Sequence, residues 1–134
     1  MLTGAGMSTE SGLPDYRSAP KGMWRGIDLL QLASVEALLQ NTENFYKFYK
    51  KRIVDLNEVT HHVGHEILAK WEKKSIIRSA ITQNVDGFHA NAGSRTVYEL
   101  HGTLQKCHCH NCLREYSNTE LLEGIHPYSM WRSD

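Results

Sequence analysis

The opening turn, Gly4-Ala5-Gly6-Met7-Ser8-Thr9, constrains this chain more than any other feature. Two glycines one residue apart let a chain pass abruptly from an extended segment into a helix, and they let a ligand approach the backbone closely. A helix that starts there offers unpaired N–H groups to a pyrophosphate. The pattern is a dinucleotide-type turn with Thr9 at the third glycine position, and it calls for strand–turn–helix geometry. A purely structural bend would use the same glycines. The acidic residue that usually follows about 20 positions later has no counterpart, since Asp28 sits in a loop. Only Met1-Leu2-Thr3 precede the turn, where a strand of about five residues is normal. The N-terminus therefore reads as clipped. The last residues, Met130 to Asp134, show neither a helix stop nor a tail composition and read as cut.

Downstream, the 18–33 stretch reads as a loop around Pro20, Gly22 and Gly26. Ser34 is suited to cap a short helix carrying Val35, Leu38 and Leu39, and Thr42 to cap the next. In that second helix Phe45, Phe48, Tyr49 and Ile53 share one face, with Lys47, Lys50, Lys51 and Arg52 on its wet side. A third helix is expected over about 60–73, with Val63, Ile67, Leu68 and Trp71 facing the core. The β-branched run 75–82 and the segment 97–100 read as strands. Helices alternating with buried strands predict an α/β sheet, of which about two strands are clear. From 103 onward periodicity is weak and cysteines crowd together, as in a small metal-organised module.

Composition narrows the function classes. Fifteen Lys and Arg balance fifteen Asp and Glu, so the basic excess of a nucleic-acid binder is missing. No apolar run approaches the roughly 18 residues of a membrane span, and no secretory signal opens the sequence. The expectation is a soluble cytoplasmic protein; nothing in the sequence specifies an oligomeric state. The three cysteines, Cys107, Cys109 and Cys112, fall within six residues, which favours metal or redox chemistry over a disulfide scaffold. Cys109-His110-Asn111-Cys112 is a CxxC that supplies two of the four ligands of a structural zinc, with Cys107, His108 and His110 as candidates for others. No second CxxC follows 15–20 residues later, where Tyr128 to Arg132 stand. A redox CxxC is the rival reading. The cluster His61-His62-Val63-Gly64-His65-Glu66 fails the HExxH pattern because Ala69 takes the second histidine's place. His61 and His65, at i and i+4, are suited to a shared metal, but those histidines read first as solvated or core-edge residues.

Three further segments carry candidate chemistry. Ser11-Gly12-Leu13-Pro14-Asp15-Tyr16-Arg17 sets a rigid proline, a carboxylate, a ring and a guanidinium just past the glycine turn, as a loop over a bound nucleotide would. An ordinary surface loop has the same residues. Thr82-Gln83-Asn84-Val85-Asp86-Gly87 begins where a strand ends, which is where open α/β sheets bind ligands. Its amides and carboxylate suit ribose hydroxyls or a carboxamide, and equally a polar turn that bonds its own backbone. His101 ends a short strand before Gly102, so its imidazole, which titrates near neutral pH, is a candidate general base; a structural histidine is the alternative.

Set in order, GAGMSTESGLPDYR, TQNVDGFH, the pair His101-Gly102 and a CxxC eight residues past that histidine resemble the sirtuins, the Sir2-type NAD-dependent protein deacylases, and most nearly a bacterial member. The resemblance runs along essentially the whole chain, and its specificity lies in the set. It implies a sirtuin-type NAD-binding fold on a partial, Rossmann-like parallel sheet, with 1–134 forming the N-terminal part of one catalytic domain. Residues 1–19 and 59–102 would be the Rossmann part, 20–58 a helical insertion and 103–134 the start of a zinc module. It implies cleavage of the nicotinamide–ribose bond of NAD, with the acyl group of a modified lysine passing to ADP-ribose.

By position, Gly4, Ala5, Gly6 and Thr9 would line the phosphate and ribose site, with Asp15, Tyr16 and Arg17 in the cofactor loop. Gln83, Asn84, Val85 and Asp86 would hold ribose and nicotinamide, His101 would be the base, and Cys109 and Cys112 the first zinc pair. NAD and one structural zinc are the implied cofactors, and acyl-lysine proteins the implied partners. Leu13, Tyr16 and Phe88 stand where Ile, Phe and Leu are commoner in the family. The second zinc pair and the later NAD contacts of the family are absent from these 134 residues. ADP-ribosyl transfer, NAD hydrolysis, or an inactive NAD- or zinc-binding fragment are the alternatives on the same scaffold.

Overall fold

The computed structural model describes residues 1–13, 30–109 and 112–124. Three short parallel strands form the central sheet in the order β1 (Leu2–Thr3), β2 (Ala80–Thr82) and β3 (Val97–Glu99). Thr3 lies opposite Thr82, and Thr82 opposite Glu99. All three strands thus end at one level. The residues that follow, Gly4, Gln83 and Leu100-His101, emerge along one rim. The parallel α/β class expected from the sequence is present, and β1 adds a strand that its two residues had concealed.

Helix α1 (Gly6–Thr9) leaves the glycine turn. After the first gap come α2 (Leu30–Ala33), α3 (Val35–Gln40) and α4 (Thr42–Asn57). Ser34 caps α3, its hydroxyl accepting the Ala37 N–H at 3.0 Å. The cap of α4 is Asn41; Thr42 is the first helical residue and donates its hydroxyl to the Leu38 carbonyl at 2.7 Å, closing α3 instead. On α4, Phe48, Ile53 and Leu56 are buried. Lys47 pairs with Glu43 and Lys51 with Asp55 on the wet side. Arg52 departs from the expected solvated face: its guanidinium lies over the Phe48 and Tyr49 rings at 5.5 and 5.7 Å, so its planar cation packs on aromatic surface.

Helix α5 (Val63–Lys73) turns a different face inward than its apolar pattern predicted. His65, Leu68 and Ala69 are buried, whereas Val63, Ile67 and Trp71 are exposed. At its start the helix is anchored to α1, where Nε2 of His62 bonds the Met7 carbonyl at 2.7 Å. The strand expected over 75–82 is only its last three residues, since α5 ends in a Schellman turn. The Ser75 N–H bonds the Glu72 carbonyl and the Ile76 N–H the Trp71 carbonyl, with Ser75 at φ 59°. That closure draws 75 and 76 out of the extended path. The Glu72 carboxylate accepts the backbone N–H groups of Arg95 and Thr96, both at 2.8 Å, and so fixes the entry to β3.

Beyond α6 (Phe88–Asn91) and β3, the aperiodic stretch from 103 is ordered as an antiparallel hairpin. It pairs β4 (Lys106–His108) with β5 (Glu115–Ser117) and leads into α7 (Asn118–Leu122). Ser117 and Glu120 form a reciprocal capping box on α7. No helix among the described residues is long and apolar enough to cross a membrane.

The inward face of α5 is testable. Leu68→Ala is expected to cost about 2–5 kcal/mol, as for a buried leucine, and Val63→Ser to stay within about 0.5 kcal/mol. Chemical denaturation of the two variants checks the order; the reverse order would return Val63 to the core.

Candidate functional site

The rim at the C-terminal ends of β1, β2 and β3 gathers most of the candidate residues. Ala5 and Gly6 are exposed there, with nothing within 4 Å of the position a Gly6 side chain would take. The turn is closed by Met7 N–H to the Gly4 carbonyl at 2.8 Å, and Thr9 donates its hydroxyl to the Gly6 carbonyl at 2.9 Å. A side chain at Gly4 would lie 3.9 Å from Oε1 of Gln83, so the glycine turn and the end of β2 form adjoining walls.

Behind that surface is a buried polar knot. Asp86 is almost fully buried, and its two carboxylate oxygens accept the Ser8 hydroxyl at 2.6 Å and the Phe88 N–H at 2.9 Å. Asn84, also buried, donates its amide to Ser8 Oγ at 2.9 Å, and its own N–H goes to Thr82 Oγ1 at 3.0 Å. These groups are committed to one another, as buried polar atoms must be. Asn84 and Asp86 therefore shape the site from within, while Gln83 stands exposed and Val85 is half-buried. Gly87 follows at φ 75°, and a Cβ there would meet Cγ of Gln105 at 2.9 Å. Only glycine combines that left-handed backbone with so close a neighbour.

His101 projects from the end of β3, exposed, with Nδ1 3.1 Å from the Gln83 carbonyl. A carbonyl can only accept, so Nδ1 carries the proton of the neutral ring and Nε2 keeps its lone pair directed elsewhere. This is the tautomer a general base requires. Beneath it, burial and then the nearby Asp86 charge push the Glu99 carboxyl above its ordinary range.

Asp15, Tyr16 and Arg17 lie outside the described residues. Cys109 and Cys112 sit at the tip of the β4–β5 hairpin, away from the rim. Cys109 is buried, and its carbonyl accepts the Leu113 N–H at 2.9 Å, whereas Cys112 is exposed. A redox CxxC would open a helix after a strand; here Cys109 follows β4 and Cys112 precedes β5. Burial and the Glu120 charge push the Cys107 thiol up, which disfavours the thiolate form a metal binds. Among the described residues no group of three or more metal-binding side chains converges.

Ser8 and Gln105 are site residues that the sequence reading passed over. Serine inside a glycine turn and glutamine in an aperiodic stretch carry no spacing signal. The buried histidines were likewise underrated. His65 is fully buried; desolvation first, then neighbouring His89 and His62, hold its pKa down to about 4 against an ordinary 6.5. Burial lowers His89 as well, against an opposing pull from Asp86.

This sets a pH dependence. Between pH 6.5 and about 4 the unfolded chain binds a proton at His65 that the folded chain refuses. Stability is expected to be level above that window and to fall as pH drops through it, by up to about 1.4 kcal/mol per pH unit. Denaturation midpoints across the window check this; a flat profile would mean that His65 charges freely in the folded state.

Comparison with known proteins places the arrangement. The Sir2 family model matches residues 4–132. An NAD-dependent protein deacetylase of Oceanobacillus iheyensis is 54% identical over 124 residues, covering 92% of this chain and 52% of that protein. A solved structure described as the structural basis of sirtuin substrate affinity superposes with a TM-score of 0.82 at 35% identity, covering 92% of this chain and 50% of the other. A Sir2 structure holding a deacetylated p53 peptide and 3′-O-acetyl ADP ribose gives a TM-score of 0.81, also at 35% identity, with the same shares covered. This chain thus spans about half the length of the relatives it matches. With the glycine turn, the Gln83-to-Asp86 strand end and His101 on one rim, and a family match along nearly its full length, the chain belongs to the Sir2 family.

Proposed function

We propose that this chain carries the NAD-binding and base-bearing part of a protein lysine deacylase, which moves an acyl group from lysine to ADP-ribose and releases nicotinamide. The observation that carries the reading is the His101 ring hung by Nδ1 from the Gln83 carbonyl, on the same rim as the open glycine turn. The bound peptide and acetyl ADP ribose in the Sir2 neighbour support the substrate class for that protein, and we extend it to this one.

NAD would supply a nicotinamide–ribose bond whose breaking leaves the ribose carbon open to the acyl oxygen. The chain's residues would do the rest. The exposed backbone at Ala5 and Gly6 would meet the phosphates, as a cradle without side chains allows. Gln83 would face ribose or carboxamide, and the Ser8–Asn84–Asp86 knot would keep that wall fixed, so that little ordering remains at binding. His101 would take a proton from a ribose hydroxyl at Nε2, with Nδ1–H held by the Gln83 carbonyl throughout. Asp15, Tyr16 and Arg17 would close over the nucleotide. Cys109 and Cys112 would give two of four ligands to a structural zinc, with no part in the chemistry. In this reading 1–19 and 59–102 form the NAD-binding part, 20–58 a helical insertion and 103–134 the beginning of the zinc module. The protein would work in the cytoplasm on acylated proteins, without contacting nucleic acid.

The test follows nicotinamide and peptide mass together, with NAD and an acetyl-lysine peptide. Loss of the acetyl group in step with nicotinamide is expected, reduced about 10²–10⁴-fold by His101→Ala, the range for removing a general base. Nicotinamide release with unchanged peptide mass would replace deacylation by hydrolysis or ADP-ribosyl transfer. Binding of ADP-ribose without turnover would reduce the chain to a nucleotide-binding unit.

A further inference from the structure

The glycine turn is held at both ends by histidine rings that lie beneath it. Before the turn, Thr3 Oγ1 is 2.8 Å from Nε2 of His89. After it, the Met7 carbonyl is 2.7 Å from Nε2 of His62. The two rings are bridged by His65, whose centroid is 4.5 Å from that of His62 and 5.0 Å from that of His89. His65 and His89 are among the most deeply buried side chains described.

The proton positions follow from the partners. The Gly64 N–H can only donate, and it points at His62 Nδ1 at 3.0 Å. Nε2 of His62 must then carry the proton and give it to the Met7 carbonyl, which can only accept. His62 thus does two jobs: it caps α5 through Nδ1 and holds α1 through Nε2. Residue 64 makes room for this. A Cβ there would lie 2.5 Å from Cε1 of His62 and 3.2 Å from Cε of Met7. Glycine inside a first helical turn is otherwise unfavourable, and here it lets the ring pass over the helix to reach Met7.

We infer that His62 and His89, joined through His65, are positioning residues that set the geometry of the phosphate turn from below. The inference rests on the turn being the nucleotide site. The two functions of His62 can be separated by side-chain reach. Asparagine places a polar atom near Nδ1 and keeps the cap of α5 but falls short of Met7. Glutamine reaches the Nε2 position and keeps the Met7 contact but weakens the cap.

In the 134-residue chain, His62→Asn is expected to hold its thermal midpoint within about 2 °C. It should nonetheless lose about tenfold in ADP-ribose affinity by calorimetry, the scale of one buried hydrogen bond. Amide hydrogen exchange at Met7 and Ser8, which close the turn, should quicken about tenfold. His62→Gln should bind within about twofold of the parent chain. Unchanged exchange and affinity in His62→Asn would overturn the inference. Failure of the parent chain to bind ADP-ribose would remove the nucleotide reading alone, since exchange at Met7 and Ser8 still decides the clamp. Should both variants unfold, nitrogen shifts of His62 in the parent chain decide: Nε2–H is expected, and the opposite tautomer would overturn the assignment.

Discussion

The arrangement of this molecule depends on one buried carboxylate. Asp86 reaches back to Ser8 in the first helix and forward to the Phe88 N–H, and its own carbonyl accepts the Gln105 side-chain amide at 2.7 Å. Three segments far apart in sequence are thereby fastened at one residue. A carboxyl group so deeply buried needs hydrogen-bond partners, and Asp86 has one at each oxygen. The Ser8–Asp86 bond joins the first helix to the segment that follows β2.

From the same point a chain of amides runs outward. Gln105 lies against Gly87, and its carbonyl accepts the Asn118 N–H at 3.0 Å. The Asn118 side chain in turn approaches Asn57 Oδ1 at 3.4 Å. The hairpin, α7 and the end of α4 are thus tied to the segment after β2 by polar contacts, and the Leu104 N–H to the Val85 carbonyl at 2.7 Å adds a backbone bond. Such contacts specify orientation in a way that apolar packing does not, because each bond tolerates only a narrow range of angle and distance.

Histidine carries two opposite assignments here. His101 is exposed and hung by one nitrogen, which leaves the other available for proton transfer. His62, His65 and His89 face inward: His62 bonds the Met7 carbonyl and His89 the Thr3 hydroxyl, and burial holds the His65 pKa down. The same side chain becomes a candidate base or a scaffold according to solvent access and to which ring nitrogen is already engaged.

Much of this could be read from the residues in order. The glycine turn, the polar strand end, the histidine before glycine and the CxxC all announce themselves by local spacing, and the helix on Phe48 and Ile53 announces itself by period. The inward face of α5 could not be read, because Val63, Ile67 and Trp71 make the better apolar stripe, whereas His65, Leu68 and Ala69 are the residues buried. The strand at 75–82 was shortened by a turn whose hydrogen bonds come from the helix before it. The sequence by itself determined the local chemistry and the class of fold, since both follow from neighbours along the chain. Tertiary structure alone decided that Ser8, Asp86 and Gln105 meet, that three histidines lie beneath one turn, and which nitrogen of His101 is left open, because each depends on contacts between separate segments, 18 residues apart for His101 and Gln83 and 78 for Ser8 and Asp86.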